Sequence, residues 1–375
     1  MTITRRRALA GLSAATALSS VRSSRANSAV SVGILGTGGR GRYVGGLFVN
    51  DGRARIAALC DVFPDQIDRA KTQIPSAATA PVFKDYRDLL AHPGLDVILI
   101  ATPVWLHPEH FEAAVRANRH IYCEKPAAAD VAGTKRLVRA AREADPAKVI
   151  VFGFQQRFSP EYLAAEKILR GGELGDLLLM RSEWILGGAR LAPFDSPFPP
   201  GEQKIRHWSA FKETSGDFIV EQDCHGLDVL NWFAQAHPVS AVGAGGRRAR
   251  AFGDNTDHLN LTYHYPGGLC GYLTATQLAV KRYWDVAEQF YGSEGILETT
   301  RTSYKWHRGE NDEVLVKSKR EITNDAVALF LDEVLAGKRR NMAFDAADAT
   351  FTALLGRMAV EQKRQVTWDE MLASA

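Results

Sequence analysis

Gly36-Thr37-Gly38-Gly39-Arg40-Gly41 follows directly on an apolar run at 29–35 and opens a helix-like segment. A buried parallel strand ends in this way. The first glycine permits a tight turn, the second lets backbone approach a pyrophosphate, and the third lets helix pack on strand. The helix N-terminus, through Thr37, Gly39 and Arg40, then offers N–H groups and the positive end of its dipole to phosphates. A glycine-rich turn alone is a weak signal, because it can be only a turn. Asp61 strengthens it, standing 20 residues beyond Gly41 after a second apolar run at 55–60. A carboxylate there receives ribose hydroxyls and repels a 2′-phosphate. Together the two features predict a dinucleotide site, with NAD preferred over NADP; Arg40 or Arg42 would soften that preference.

Further apolar runs at 97–101, 120–123 and 149–152 alternate with helix-like pieces at 108–118 and 129–144. Strands alternating with helices at this spacing predict a doubly wound parallel sheet. Beyond Gly153 the pattern changes. A helix at 160–170 precedes segments rich in Trp, Tyr and Thr, with Trp184, Tyr263, Tyr265, Tyr272 and Tyr291 in strand-like positions. These predict a mainly antiparallel sheet in a second domain. The Pro-rich stretch 187–201 reads as a long loop.

Hydrophobic residues at 46% and charged residues at 24% exclude a disordered or coiled-coil chain. The formal charge of +3 falls to −2 once the five arginines of the first 26 residues are set aside, so no basic nucleic-acid surface is expected. Those residues hold Arg5-Arg6-Arg7, an Ala-rich apolar run and the small-residue site Ser24-Arg25-Ala26. That order predicts a twin-arginine export signal over 1–26 and a bacterial, periplasmic or otherwise exported protein. A basic amphipathic N-terminal helix is the alternative. No apolar run reaches the ~20 residues of a membrane span. Cys60, Cys123, Cys224 and Cys270 are an even set, yet a chain that folds before export does so in a reducing compartment. They are expected as small buried side chains rather than disulfides.

Two constellations carry chemistry. Cys123-Glu124-Lys125-Pro126 follows a strand, so its side chains emerge at the sheet's C-terminal edge, where ligands bind in such folds. A lysine there can take a proton from an alcohol; the bland reading is a solvated Lys125 paired with Glu124. The second is Glu221, His225, Asp228 and Trp232, which share one stripe if the segment is helical, with Leu227, Leu230 and Phe233 on the opposite side. A histidine between carboxylates can bind a hydroxyl or shuttle its proton. The stripe reads equally as a solvated helix face. No second histidine lies at ligand spacing, so no metal is expected.

Residues from about 30 to the C-terminus resemble the glucose–fructose oxidoreductase / inositol dehydrogenase family, often called Gfo/Idh/MocA. The resemblance is carried by the glycine loop, Ala101-Thr102-Pro103 with His107, Glu124-Lys125-Pro126, Arg157, and His225 with Asp228, in matching order and spacing. It implies a Rossmann domain over 30–153, with Thr102, Pro103, His107, Glu124 and Lys125 bordering the cofactor. It implies an α/β domain over 154–375 whose large open sheet makes homodimer or homotetramer contacts, with C-terminal helices that pack back on the first domain. Lys125 would work at the reacting hydroxyl, with His225 as partner acid/base or hydroxyl ligand. The family usually places an aspartate four residues before that histidine; here it is Glu221, with one extra methylene. Asp228 would orient the site. Arg157 and His207 are candidate substrate ligands; Trp105, Phe158, Trp184 and Trp208 are candidate sugar-stacking rings.

The expected activity is hydride transfer between a tightly held NAD and a hydroxyl or carbonyl carbon of a sugar, polyol or glycoside. One alternative is an NAD-dependent glycoside hydrolase or lyase with no net redox change, although His225-Gly226-Leu227-Asp228 departs from the His-Gly-Leu-Gly-Pro segment typical of such enzymes. The other is a noncatalytic NAD- or sugar-binding sensor.

Overall fold

The computed structural model describes residues 29–187, 195–280, 283–308 and 312–375. The leader with its arginines, and positions 188–194 of the expected long loop, lie outside the described residues.

Strands β1 (Val30–Leu35), β2 (Ala54–Cys60), β3 (Val82–Phe83), β4 (Val97–Ile100), β5 (His120–Cys123) and β6 (Val149–Phe152) pair in parallel, in the order β3-β2-β1-β4-β5-β6. Arg340–Asn341 adds a seventh parallel strand beyond β6. Helices cover both faces, which is why β1, β4 and β6 are buried at every residue and read as unbroken apolar runs. The order turns back at β1 and β4, so their C-terminal ends open the crevice where such sheets bind ligands. The helices expected from 108 and 129 run His107–Arg116 and Val131–Arg142. The latter begins where the Asp130 side chain accepts from the Gly133 N–H (2.6 Å).

The second sheet comprises β7 (Leu177–Leu186), β8 (Ser240–Gly246), β9 (His258–His264), β10 (Cys270–Thr276), β11 (Trp284–Gly292), β12 (Gly295–Thr300), β13 (Ser303–Arg308) and β14 (Asp312–Lys317). Its order is β14-β13-β12-β11-β7-β10-β9-β8, with Val366–Thr367 at the far edge. Only β7 and β10 run parallel. Burial alternates along β9, β10 and β11, because helices pack on one face and leave the other uncovered. Trp184, Tyr263, Tyr272 and Tyr291 lie in these strands as expected. Tyr265 falls one residue past β9, where its hydroxyl donates to Asn231 Oδ1 (2.7 Å).

Two late helices tie the sheets together. Helix Ile322–Leu335 sets Phe330 edge-on against Phe48 (5.8 Å) and Tyr122 (5.6 Å) beside the first sheet. Such pairs add about 0.5–1.5 kcal/mol each beyond burial. Helix Ala343–Gln362 offers Thr350 Oγ1 to the Ala127 N–H (3.0 Å) and Thr352 Oγ1 to Asn231 Nδ2 (2.9 Å), so one rod spans both halves. Cys60, Cys123 and Cys224 are buried, Cys270 is half-buried, and none is paired. No helix of the described residues is long and apolar enough to cross a membrane.

Candidate active site

The glycine loop fits a dinucleotide. Gly36 has φ of 91°, and a Cβ on it would stand 2.7 Å from the Ala101 backbone. A Cβ on Gly41 would lie 1.9 Å from the Gly36 carbonyl oxygen, so helix Gly39–Asn50 packs on β1 only without a side chain there. Gly38 faces open space, and no side chain caps the helix, which leaves its first N–H donors for phosphate. The adjoining cleft encloses about 840 Å³. Gly36, Gly38, Gly39, Asp61, Thr102 and Pro103 line it from the first lobe; Phe198, Ile205, Arg206 and Trp208 cover it from the second.

Asp61 Oδ2 accepts from the Thr37 N–H (2.8 Å) and Oγ1 (3.1 Å), and Oδ1 accepts from the Phe63 N–H (2.9 Å). Three of a carboxylate's roughly four acceptor sites are therefore engaged, which leaves one to face a ribose hydroxyl. Arg42 is pinned on Thr37 O, Gln66 and Gln73. Arg69 and Lys84, which sequence reasoning did not single out, line the same cleft as Asp61.

The triplet after β5 emerges at the sheet edge as expected, but its partners differ from the bland reading. Glu124 pairs with Arg40 (Oε1–Nε 2.8 Å), while Lys125 reaches the other lobe. Its Nζ donates to the Glu221 carbonyl oxygen and stands 3.6 Å from Glu221 Oε1. Lys125 and His225 both line a pocket of about 300 Å³ that shares Ala101, Thr102 and Trp208 with the dinucleotide cleft. Trp184, Trp208 and Trp284 supply its aromatic wall; Arg40, Glu124, Gln155, Glu221, Gln222 and Arg301 supply its polar lining.

His225 is buried, not on a solvated helix face. Its ring lies flat on Trp184 (centroids 5.5 Å, 8° between planes) and meets Phe154 edge-on (5.7 Å). Nδ1 has no hydrogen-bond partner among the described residues. Burial, reinforced by the charges of Lys125, Arg301 and Arg40, holds the imidazole well below its usual pKa, so it is neutral at physiological pH. The single helical stripe expected from Glu221 to Trp232 is interrupted. Ile219–Asp223 forms a wider π turn before the α-helix Cys224–Ala234, which shifts Glu221 out of register and brings it to Lys125. Asp223, also unforeseen, is fully buried with both oxygens unpartnered among the described residues. Burial raises its pKa well above the carboxylate range, and Glu221 and Asp217 add to the effect.

Several expected site residues lie elsewhere. Asp228, expected to orient the catalytic site, and Arg157, expected to bind substrate, satisfy each other through contacts of 2.9, 2.9 and 3.0 Å, and neither lines the pocket. A buried carboxylate draws in the nearest guanidinium, and here that removes both. His207 lines neither cleft; it contacts Ser196 Oγ (3.1 Å), Phe198 and Phe252, while its neighbour Trp208 lines both. His107 does line the pocket; held between the carbonyls of Pro126 (2.7 Å) and Thr102 (2.9 Å), it braces the two loops there. Phe158 is core, and Trp105 borders neither cleft. Arg301, Gln155 and Trp284 were missed because they come from a turn, a short 3₁₀ segment and a strand end, none with a motif.

Fold and cleft together are those of a two-lobed Rossmann protein built to hold a dinucleotide. The family description "Oxidoreductase family, NAD-binding Rossmann fold" matches residues 30–152, and the GFO/IDH/MocA C-terminal domain matches 162–298. The chain belongs to the Gfo/Idh/MocA oxidoreductase family. It is 31% identical over 233 residues to inositol 2-dehydrogenase of Acidothermus cellulolyticus, an alignment spanning 61% of each chain and so less than two thirds of that enzyme. With myo-inositol 2-dehydrogenase of Thermotoga maritima it shares 24% identity over 337 residues, 85% of this chain and 92% of the other. Among solved structures it resembles levoglucosan dehydrogenase in complex with NADH and levoglucosan (TM-score 0.78, 17% identity, 90% of this chain and 99% of that one). It also resembles myo-inositol 2-dehydrogenase from Lactobacillus plantarum (TM-score 0.71, 21% identity, 90% and 99%). These last likenesses establish the fold.

Proposed function

We propose that the protein is an NAD-dependent dehydrogenase acting on a hydroxyl or carbonyl carbon of a sugar, polyol or glycoside. The observation that carries this reading is the meeting of Lys125 and His225, from separate lobes, in one pocket contiguous with the dinucleotide cleft. Gly36, Gly38, Gly39 and Asp61 would hold the dinucleotide, whose nicotinamide would supply the hydride acceptor or donor. Lys125 Nζ takes the proton of the substrate hydroxyl; the Glu221 carbonyl and carboxylate keep it aimed across the lobes. Neutral His225, fixed by Trp184 and Phe154, hydrogen-bonds the same hydroxyl and passes its proton. Trp184, Trp208 and Trp284 present faces to a sugar's C–H groups and exclude water. The names of the inositol dehydrogenases and levoglucosan dehydrogenase agree with a sugar or polyol substrate.

Finer features follow from the same reading. Asp61 favours NAD over NADP, moderated by Arg69 and Lys84. The cofactor is held tightly by the strap over the cleft: Arg206 bridges to Asp65 (2.8 Å) and stacks on Phe63 (3.8 Å) and Phe198 (4.3 Å). The uncovered sheet face carries exposed Val242 and Tyr272 in one cross-strand row through Thr262, which suits a homodimer or homotetramer contact. The arginine-bearing leader directs export by the twin-arginine route to the periplasm, where a retained cofactor replaces a free pool.

The test is to purify the protein, read nicotinamide absorbance, and offer inositols, aldoses, sugar acids, anhydrosugars and glycosides. Net cofactor reduction is expected. Release of sugar from glycosides without an absorbance change, or silence across the panel, overturns the reading in favour of a hydrolase or a sensor respectively.

A further inference from the structure

The charges of the reaction pocket do not all answer one another. Arg40 pairs with Glu124 (2.8 Å) and Lys125 with Glu221 (3.6 Å). Arg301, in the turn between β12 and β13, also lines the pocket, yet it has no ion-pair partner among the described residues. Its Nε is buried without a hydrogen bond. With the Gln155 amide turned so that both of its ends are satisfied, its oxygen accepts from Arg301 Nη2 (3.1 Å) and its nitrogen donates to the Gly153 carbonyl (2.5 Å). A neutral amide thus orients this guanidinium without neutralising it. Glu288 and Glu321 feel its charge at longer range. Glu288 Oε2 accepts from Tyr162 and Thr299, and its Oε1 has no hydrogen-bond partner among the described residues, Arg301 included; Glu321 is engaged by Thr323.

We propose that the substrate is a sugar acid, a uronate or aldonate, whose carboxylate is received by Arg301 while a hydroxyl of the same molecule meets Lys125 and His225. The proposal rests on the dehydrogenase reading for its reacting hydroxyl, but the carboxylate subsite stands on Arg301 alone. A planar guanidinium matches a carboxylate in two parallel hydrogen bonds. The ring of the acid lies against the tryptophan wall. Glu124 and Glu221 in the same lining repel a phosphate dianion more than a singly charged carboxylate, which selects the acid over a sugar phosphate.

The experiment uses the holoprotein and reads binding separately from turnover. Tryptophan fluorescence is titrated with D-glucuronate against D-glucose, and D-gluconate against D-glucitol, with D-glucose 6-phosphate as a third arm. The acids are expected to bind about 10- to 100-fold more tightly than their neutral counterparts, the margin of a hydrogen bond to a charged group. Arg301→Gln brings that ratio toward one, and Arg301→Lys, keeping charge without the fork, restores part of it. The cofactor's affinity and the melting temperature of each variant report whether it is folded, and the lysine variant carries the test if the glutamine variant is not. Equal binding of acid and neutral sugar, tighter binding of the phosphate, or an acid preference that survives in Arg301→Gln overturns the proposal. Cofactor reduction on the same panel is scored independently. Acids that bind through Arg301 without reducing NAD sink the dehydrogenase reading alone, whereas neutral sugars that reduce NAD with no acid preference sink the subsite alone.

Discussion

Replacing Asp228 with Asn separates scaffolding from chemistry. Asp228 is 1% exposed, and Arg157 reaches both of its oxygens at 2.9–3.0 Å. The amide keeps the shape but removes the charge, leaving a largely buried guanidinium whose remaining carboxylate is Asp345 at 3.4 Å. Breaking a buried ion pair from one side costs about 3–5 kcal/mol, and Asp345 holds the loss near the lower figure. That corresponds to a fall in melting temperature of roughly 4 °C for a chain of this size. Calorimetry gives the stability change; the rate of cofactor reduction at saturating substrate gives the chemistry. The melting temperature should drop while the rate changes no more than a few-fold. The paired replacement Arg157→Met with Asp228→Leu should recover most of the stability. Native stability with a hundred-fold loss of rate in Asp228→Asn would refute the reasoning and place Asp228 back at the reacting atoms.

Other outcomes follow from the same coordinates. Gly41→Ala places a Cβ 1.9 Å from the Gly36 carbonyl, so the loop must open; NADH affinity measured by fluorescence should fall at least about 10-fold, and an unchanged Kd would contradict the packing. Arg206→Ala removes the bridge to Asp65 and the stack on Phe63 and Phe198, so stopped-flow displacement should show cofactor leaving about 10-fold faster. Burial pushes the His110 imidazole down to about 4. Because this lies below the unfolded value of ~6.5, the stability is present above about pH 6.5 and lost as pH falls toward 4, by roughly 3 kcal/mol. His110→Gln should therefore flatten the acid limb of a pH–melting curve; an unaltered limb would show that His110 is not the group responsible.

Much of the architecture was legible because local signals and global packing agree. The glycine loop, the apolar parallel strands and Asp61 each answer a local rule, and the sheet places them where those rules require. Lys125 and His225 were legible for the same reason: one ends a parallel strand, the other sits on a helix flanked by core positions. Arg157 was misread as a substrate ligand, and its pairing with Asp228 was not foreseen, because sequence spacing shows which residues share a face, not which charge lies nearest in space. Glu221 was displaced by a π turn, which leaves no periodic signature of its own. Arg301, Gln155 and Trp284 reach the pocket from a turn, a short 3₁₀ segment and the start of β11. Their approach depends on how β7, β11 and β12 pair across the sheet, and pairing of distant strands is not written in any one segment.

The most direct measurement of the account compares Lys125→Met with the native protein, recording turnover and NADH affinity on the same preparation. With Nζ gone, the alcohol proton loses its assigned acceptor and His225 has no amine to pass it to, so kcat should fall about 10²–10⁴-fold while the Kd for NADH stays within a factor of about two. Native turnover in the variant, or a loss of NADH binding that accounts for the whole decline, would contradict the assignment of proton transfer to Lys125.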